Sequence, residues 1–193
     1  MKAVQKRTLQ TRARLIRAAK EIIRESGYSA LRVEEVVSRA KTAKGTFFAH
    51  FTDKEALMDL VIGGEIDKYL DDLVTIEPPH NVDQLADALD PLCRFMTCER
   101  YVFDVILRYS GAAGIEEIGA IATTFCRQET IFTEWLSNTN SPFRKDISVE
   151  MQAEGVAAFM IRAMVAYSCG LQTELSICDS LKPYLKAWLK PAD

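Results

Sequence analysis

Histidine is nearly absent from this chain of 193 residues, which has only His50 and His80. That scarcity bears on metal chemistry, because a zinc-type site gathers imidazoles and thiolates at one point. Cys93 and Cys98 do not supply such a point, since five residues along a helix turn them about 140° apart. Neither a metal nor a cofactor is therefore expected. The five cysteines, an odd number at positions 93, 98, 126, 169 and 178, make no disulfide framework and read first as small core residues. Arg94 and Arg100, next to Cys93 and Cys98, leave open a thiol switch, which needs an exposed, electropositive cysteine. Long apolar runs are missing too. Residues 156–161 form the longest, and Arg162 interrupts them far short of the roughly 20 residues that a membrane span needs. The amino terminus carries Lys2, Lys6 and Arg7 and stays basic through Arg12 and Arg14. It has no apolar signal-peptide core, so a cytoplasmic location is expected. No nucleophile with a base, no paired acid and no metal-ligand spacing stands out, so an enzyme is not expected.

What is present is a strong segregation of charge. Residues 1–54 hold 13 Lys and Arg against 5 Asp and Glu, whereas residues 55–193 hold 11 against 22. A net charge of -3 thus hides a basic head on an acidic body, and a basic head points to a polyanionic partner.

The apolar residues recur at helical spacing, and period-two alternation is not sustained anywhere, so the fold class is all-α. The first helix is expected over 9–25, with Leu15, Ala19, Ile22 and Ile23 on one face and Ser26-Gly27 as its stop. A short second helix is expected over 32–40 and a short third over 43–50. Thr52 and Glu55 have T-x-x-E spacing, which predicts a capping box opening a fourth helix that reaches about residue 74. Gly63-Gly64 interrupts its stripe and reads equally as a mobile point or as a close helix crossing. Pro78-Pro79 follows the fourth helix, and Asn81 reads as the cap of the next. Further helices are expected over 82–97, 99–109, 115–137, 149–169 and 177–189.

Two short helices joined by a tight turn, behind a longer helix and in the most basic part of the chain, have the form of a helix-turn-helix. The third helix would enter the major groove, and its start, Thr42-Ala43-Lys44-Gly45-Thr46, offers small and polar residues for close approach. Residues 33–57 resemble the signature of the TetR family of regulators. The matching positions are Ala40, Lys44-Gly45-Thr46, Phe47 and Phe48, His50-Phe51, and Lys54-Glu55-x-Leu57. The resemblance covers roughly residues 8–60, while the rest of the chain is similar only in length and helical content.

The resemblance implies that Lys44, Gly45, Thr46, Phe48, Ala49 and His50 lie at the DNA surface, with Lys54 on phosphate and Phe47 and Phe51 in the core. A neutral His50 ring suffices there, since its N–H donates. The chain departs from the family where Lys41 replaces a usual Gly, Thr42 a branched apolar residue, and Leu31 a capping Thr. Lys41 then adds a phosphate contact, either Ser29 serves as a substitute cap or the cap is weaker, and Arg32 can reach the DNA backbone. The resemblance also implies a helix-turn-helix domain at 1–53 and a helical effector-binding and dimerisation domain at 54–193. The expected partners are double-stranded operator DNA, a second copy of the chain, and a small apolar or amphipathic effector, with repression as the expected sign. Residues 151–169 and the stripe Leu181, Tyr184, Leu185, Trp188 and Leu189 suit a four-helix dimer interface. Phe95, Met96, Tyr101, Phe103, Tyr109, Phe125, Phe132 and Trp135 are available to line a pocket. Two other readings, a helical small-molecule enzyme and a non-specific DNA protein, lack a motif of their own.

Overall fold

The computed structural model describes residues 2–110, 118–137, 143–170 and 175–190, with side chains from residue 6 onward. Among these residues all regular structure is helical, as the periodicity predicts. The helices are α1 (Lys2–Ser26), α2 (Val33–Arg39), α3 (Lys44–Phe48), α4 (Lys54–Thr75), α5 (Val82–Met96), α6 (Arg100–Tyr109), α7 (Ala120–Leu136), α8 (Val149–Ser168) and α9 (Ile177–Leu189). The first three form the head. In the body, α4 packs along α7, α7 on α8, α8 on α9, α9 on α5, and α5 back on α4. These neighbours close a ring of five helices, and α6 lies against its α4, α5 and α7 members. The apolar stripes face inward, so Leu70, Leu89, Val156, Met160, Leu181 and Leu185 are all essentially removed from water. Each such side chain contributes roughly 1.5–3 kcal/mol of transfer free energy.

The tightest crossing in the ring explains one of the two central glycines. A Cβ on Gly63 would lie 2.7 Å from the Ala120 Cβ and 2.8 Å from its backbone carbon, so only glycine lets α4 and the start of α7 approach this closely. One turn earlier, Asp59 is buried and accepts hydrogen bonds from the Ala120 and Ile121 amides at 2.9 and 3.0 Å. These are amides that a helix start leaves without internal partners. Gly64 faces open space. The close-crossing reading therefore holds for Gly63.

Several local expectations need correction. α1 begins at Lys2, seven residues before the expected start, and Leu9 is exposed. The cap of α4 is Asp53, not Thr52: its carboxylate accepts from the Ala56 amide at 2.7 Å. A charged acceptor one residue later outcompetes the Thr hydroxyl and shifts the cap by one position. α7 starts at Ala120 instead of residue 115, because its cap comes from Asp59 on a distant helix and Gly119 is extended. Of the two expectations for α2 the weaker cap holds: it opens at Arg32 without a side-chain cap bond, and Ser29 supplies none. Residues 115–117 of the expected seventh helix, and 111–114 and 138–142 between the expected helices, lie outside the described residues. Asn81 caps α5 as expected, accepting from the Gln84 amide at 2.8 Å while Gln84 Oε1 accepts from the His80 amide at 2.7 Å.

Candidate nucleic-acid interface

The head is built around Phe47, which is fully buried, as are Leu15, Ala19, Ile22, Leu31 and Val36 of the same head. Phe51 tilts against it with ring centroids 5.5 Å apart, and Phe48 meets its edge at 5.3 Å. Burying Phe47 fixes the rotation of α3, so the residues on the other side of this short helix must face outward. Lys44, Gly45, Phe48 and Ala49 are exposed, and Thr46 and His50 are half-buried at the edges of that face. In the preceding turn Lys41 is exposed and Thr42 half-buried. Lys41 has φ 51°, a left-handed conformation that glycine adopts more readily. The predicted Gly-to-Lys departure thus stands where the turn strains any side chain.

Ion pairs brace this frame. Arg39 reaches Glu25 at 2.8 Å and Glu35 at 3.0 Å, tying α2 to the end of α1. Lys44 donates to Glu34 at 2.6 Å across the turn, and that hydrogen bond holds the Glu34 carboxyl below its ordinary pKa. Both members are largely exposed, so the pair adds little stability.

Arg32 and Lys54 are placed elsewhere, at the border with the body. The Arg32 guanidinium folds onto its own loop, donating to the Ser29 and Leu31 carbonyls at 2.8 and 3.1 Å. Lys54 holds its ammonium 4.3 Å above the Tyr101 ring, and the Tyr101 hydroxyl donates to Glu55 at 3.3 Å. Burial first, and then the Glu55 charge, push the Tyr101 phenol well above its ordinary pKa. The same border contains a contact that the sequence did not announce. Glu99, the residue before α6, accepts from the Tyr28 amide at 2.7 Å and from the Ser29 amide at 2.9 Å. Burial opposes the carboxylate, but the two amide bonds outweigh it and leave its pKa lowered. Gly27 makes room with φ 85°, and a Cβ there would lie 2.7 Å from Glu99 Oε1. Beside this clamp Tyr28 meets Phe95 edge-on, and Phe95 stacks on Tyr69.

In the body, a cleft of about 260 Å³ opens between α4 and α5, walled by Tyr69, Leu73, Ile76, Ala88, Pro91 and Leu92 with Asp72 and Asp87. None of the eight large side chains anticipated as pocket lining is among its walls, and Met96, Phe103, Phe132 and Trp135 are core. Much of the apolar surface assigned to a dimer contact also turns inward: Leu181, Leu185 and Leu189 are buried, and Trp188 donates to the Gln152 carbonyl at 3.1 Å. Met151, Ala158 and Tyr167 remain exposed on α8. Cys93 is buried, which pushes its thiol up to about 12. Cys98 is raised by burial and by Glu99, while Arg94 and Arg100 are engaged by Asp90 and Asp104. These features disfavour a thiolate at either position.

A short helix anchored by one buried aromatic, with its outer face open and a tight turn behind it, has the form of a helix-turn-helix. Residues 15–61 match the family model described as bacterial regulatory proteins, tetR family. The chain is similar to the uncharacterized HTH-type transcriptional regulator YvdT of Bacillus subtilis (strain 168), at 28% identity over 145 residues, covering 74% of this chain and 70% of the relative. Its fold resembles that of Thermus thermophilus FadR, a repressor solved with lauroyl-CoA, with a TM-score of 0.64, 18% identity and 92% of each chain covered. It also resembles RolR, solved with resorcinol, with a TM-score of 0.62, 20% identity and coverage of 95% of this chain and 88% of that one. The chain thus joins a head that matches the tetR-family model to a helical body of the same fold as FadR and RolR.

Proposed function

We propose that the protein is a dimeric repressor that reads a pseudopalindromic operator with α3 of each subunit and leaves it when a small apolar or amphipathic effector binds the body. The observation that carries this reading is the outward face of Lys44, Gly45, Phe48 and Ala49 on buried Phe47, beside exposed Lys41. In this reading residues 1–53 are the DNA-binding unit, with Lys41, Thr42, Thr46 and His50 flanking the reading face and Arg32 and Lys54 supplying phosphate contacts. Residues 54–193 are the effector-binding and dimerisation unit. The α4–α5 cleft, though small for a ligand site, supports the effector assignment, as do the ligands named with FadR and RolR. The Glu99 clamp offers a joint through which the body could set the angle of the head.

The test starts from duplexes selected out of a random pool by the full-length protein. A base-edge contact gives discrimination, whereas a phosphate contact gives affinity without sequence information. Lys44→Ala is expected to cost about 1–3 kcal/mol per half-site and to relax preference at one base pair. Lys54→Ala is expected to weaken all duplexes alike and to lower the salt slope by about 1 per phosphate lost. If Lys44→Ala weakened every duplex equally, α3 would not be the reading helix. An unchanged salt slope for Lys54→Ala would restrict that lysine to its Tyr101 contact. Sedimentation at micromolar concentration tests the dimer.

A further inference from the structure

The cleft between α4 and α5 joins an apolar lining to carboxylates that are not all matched. Asp67 and Asp71 of α4 both bind Arg127. Asp72, the next residue, lines the cleft instead, and among the described residues no cation pairs with it. Asp87 lines the α5 side, where Lys182 neutralises it from outside the walls at 3.0 Å. An adjoining hollow of about 300 Å³ shares Ile76, Asp87 and Ala88 with the cleft. It adds Glu77, whose ion-pair partner is His80 at 3.6 Å.

The backbone of the α5 wall points the same way. Pro91 lies inside α5 and lines the cleft. It has no amide hydrogen, so it cannot serve the Asp87 carbonyl four residues before it, as another residue in a helix would. On the α4 side stands the Tyr69 ring, with Phe95 stacked on it at a centroid distance of 5.3 Å. An aromatic ring attracts a cation through its quadrupole. Among the described residues, no Lys, Arg or His lines the cleft.

These walls suit one kind of charge. An anion would face carboxylates with no cation in the walls to receive it. A neutral apolar molecule would fill the space beside Leu73 and Leu92 but leave Asp72 with nothing to replace the water it loses. An ammonium ion with an apolar tail meets both requirements, its charge beside Asp72 and the Tyr69 ring and its tail on the leucines. The volume of about 260 Å³ restricts it to a small molecule.

We propose that the α4–α5 cleft binds a small alkyl- or arylammonium ion, so that the effector is an amphipathic cation and not an anion or a neutral hydrocarbon. The inference rests on the effector reading above and narrows its chemistry.

Phenethylammonium serves as the probe, with phenethyl alcohol as its neutral counterpart and phenylacetate as its anionic one. Binding to the full-length protein is followed by amide NMR shifts without DNA. At low salt the cation should bind about 5–10-fold more tightly than the alcohol, the combined size of one partly exposed ion pair and one cation–π contact. Phenylacetate should bind more weakly than either. The shifts should centre on residues 69–76 and 87–92, and added salt should narrow the preference. Asp72→Asn, a change at an exposed position, should keep the wild-type melting temperature. It should weaken the cation about 2–5-fold and leave the alcohol unchanged. Equal affinities for cation and alcohol, tighter binding of phenylacetate, shifts centred elsewhere, or an Asp72→Asn variant that binds the cation as the wild type does would overturn the proposal. Failure of the effector reading is recognised separately, because phenethylammonium would then occupy the cleft and leave operator affinity unchanged.

Discussion

The body holds α4 and the head in two different ways. Asp59 and Gly63 lock α4 to α7: the carboxylate is buried, both amides it accepts from are at a helix start, and the crossing leaves no space for a methyl group. Glu99 clamps the head through two amides of an exposed loop, and one of those bonds is itself exposed to water. Buried charge-assisted bonds are costly to break, whereas exposed ones exchange readily with solvent. The contrast teaches that α4 is bound to the ring by the contact that is harder to break, and the loop between α1 and α2 to the body by the one that is easier to release.

The largest effect should come from the lock. Asp59→Ala leaves two helix-start amides buried without acceptors and is expected to cost about 3 kcal/mol. At about 2–4 °C per kcal/mol for a chain of this size, the melting temperature should fall by roughly 6–12 °C. A melt within about 1 °C of wild type would remove the distinction between lock and clamp. Gly63→Ala should cost about 1–3 kcal/mol by overpacking, while the adjacent Gly64→Ala, which meets open space, should stabilise by up to about 1 kcal/mol. Opposite signs at neighbouring glycines would sharpen the assignment of the crossing to Gly63.

The clamp should be less sensitive to heat and more sensitive to acid. Glu99→Gln is expected to move the melting temperature by no more than a few degrees, yet to change operator affinity by altering the freedom of the head. The Glu99 pKa is lowered from its ordinary value of 4.5, so its contribution is complete above that value and is lost as pH falls through the lower, folded pKa. Amide resonances of Tyr28 and Ser29 followed by NMR from pH 6 downward should shift together below about pH 4.5. Separate transitions for the two amides would argue against a shared carboxylate. The smallest effect is expected at the turn: Lys41→Gly relieves a left-handed backbone and should stabilise by about 0.5–1 kcal/mol. It should also weaken DNA binding slightly, measured in the same salt series.

The head was the legible part because its constraints are local. Ala40, Phe47, Phe51 and the intervening turn occupy one short window, and burial of Phe47 follows from spacing alone. The T-x-x-E pattern points to Thr52, since Glu55 stands three residues on, and it does not weigh the charged acceptor of Asp53 against a neutral hydroxyl. The start of α1 was missed because residues 2–8 have no stripe to detect. Glu99 and Asp59 were not readable at all. Each carboxylate serves amides 61 to 71 residues away, and one sequence carries no mark of such a pairing. The stripe of α9 was correctly seen as apolar but assigned outward, because periodicity shows that a face is buried without showing what buries it.

The bond between Lys44 and Glu34 has a kinetic consequence. The ammonium already rests on an anion at 2.6 Å, so under the proposed function meeting a phosphate would merely exchange one anionic oxygen for another. On arbitrary sequence that exchange would gain little. Where a guanine edge offered Lys44 two acceptors, the exchange would run forward. Under that proposal the Glu34 carboxylate would shorten the dwell on wrong sites and speed the finding of the right one.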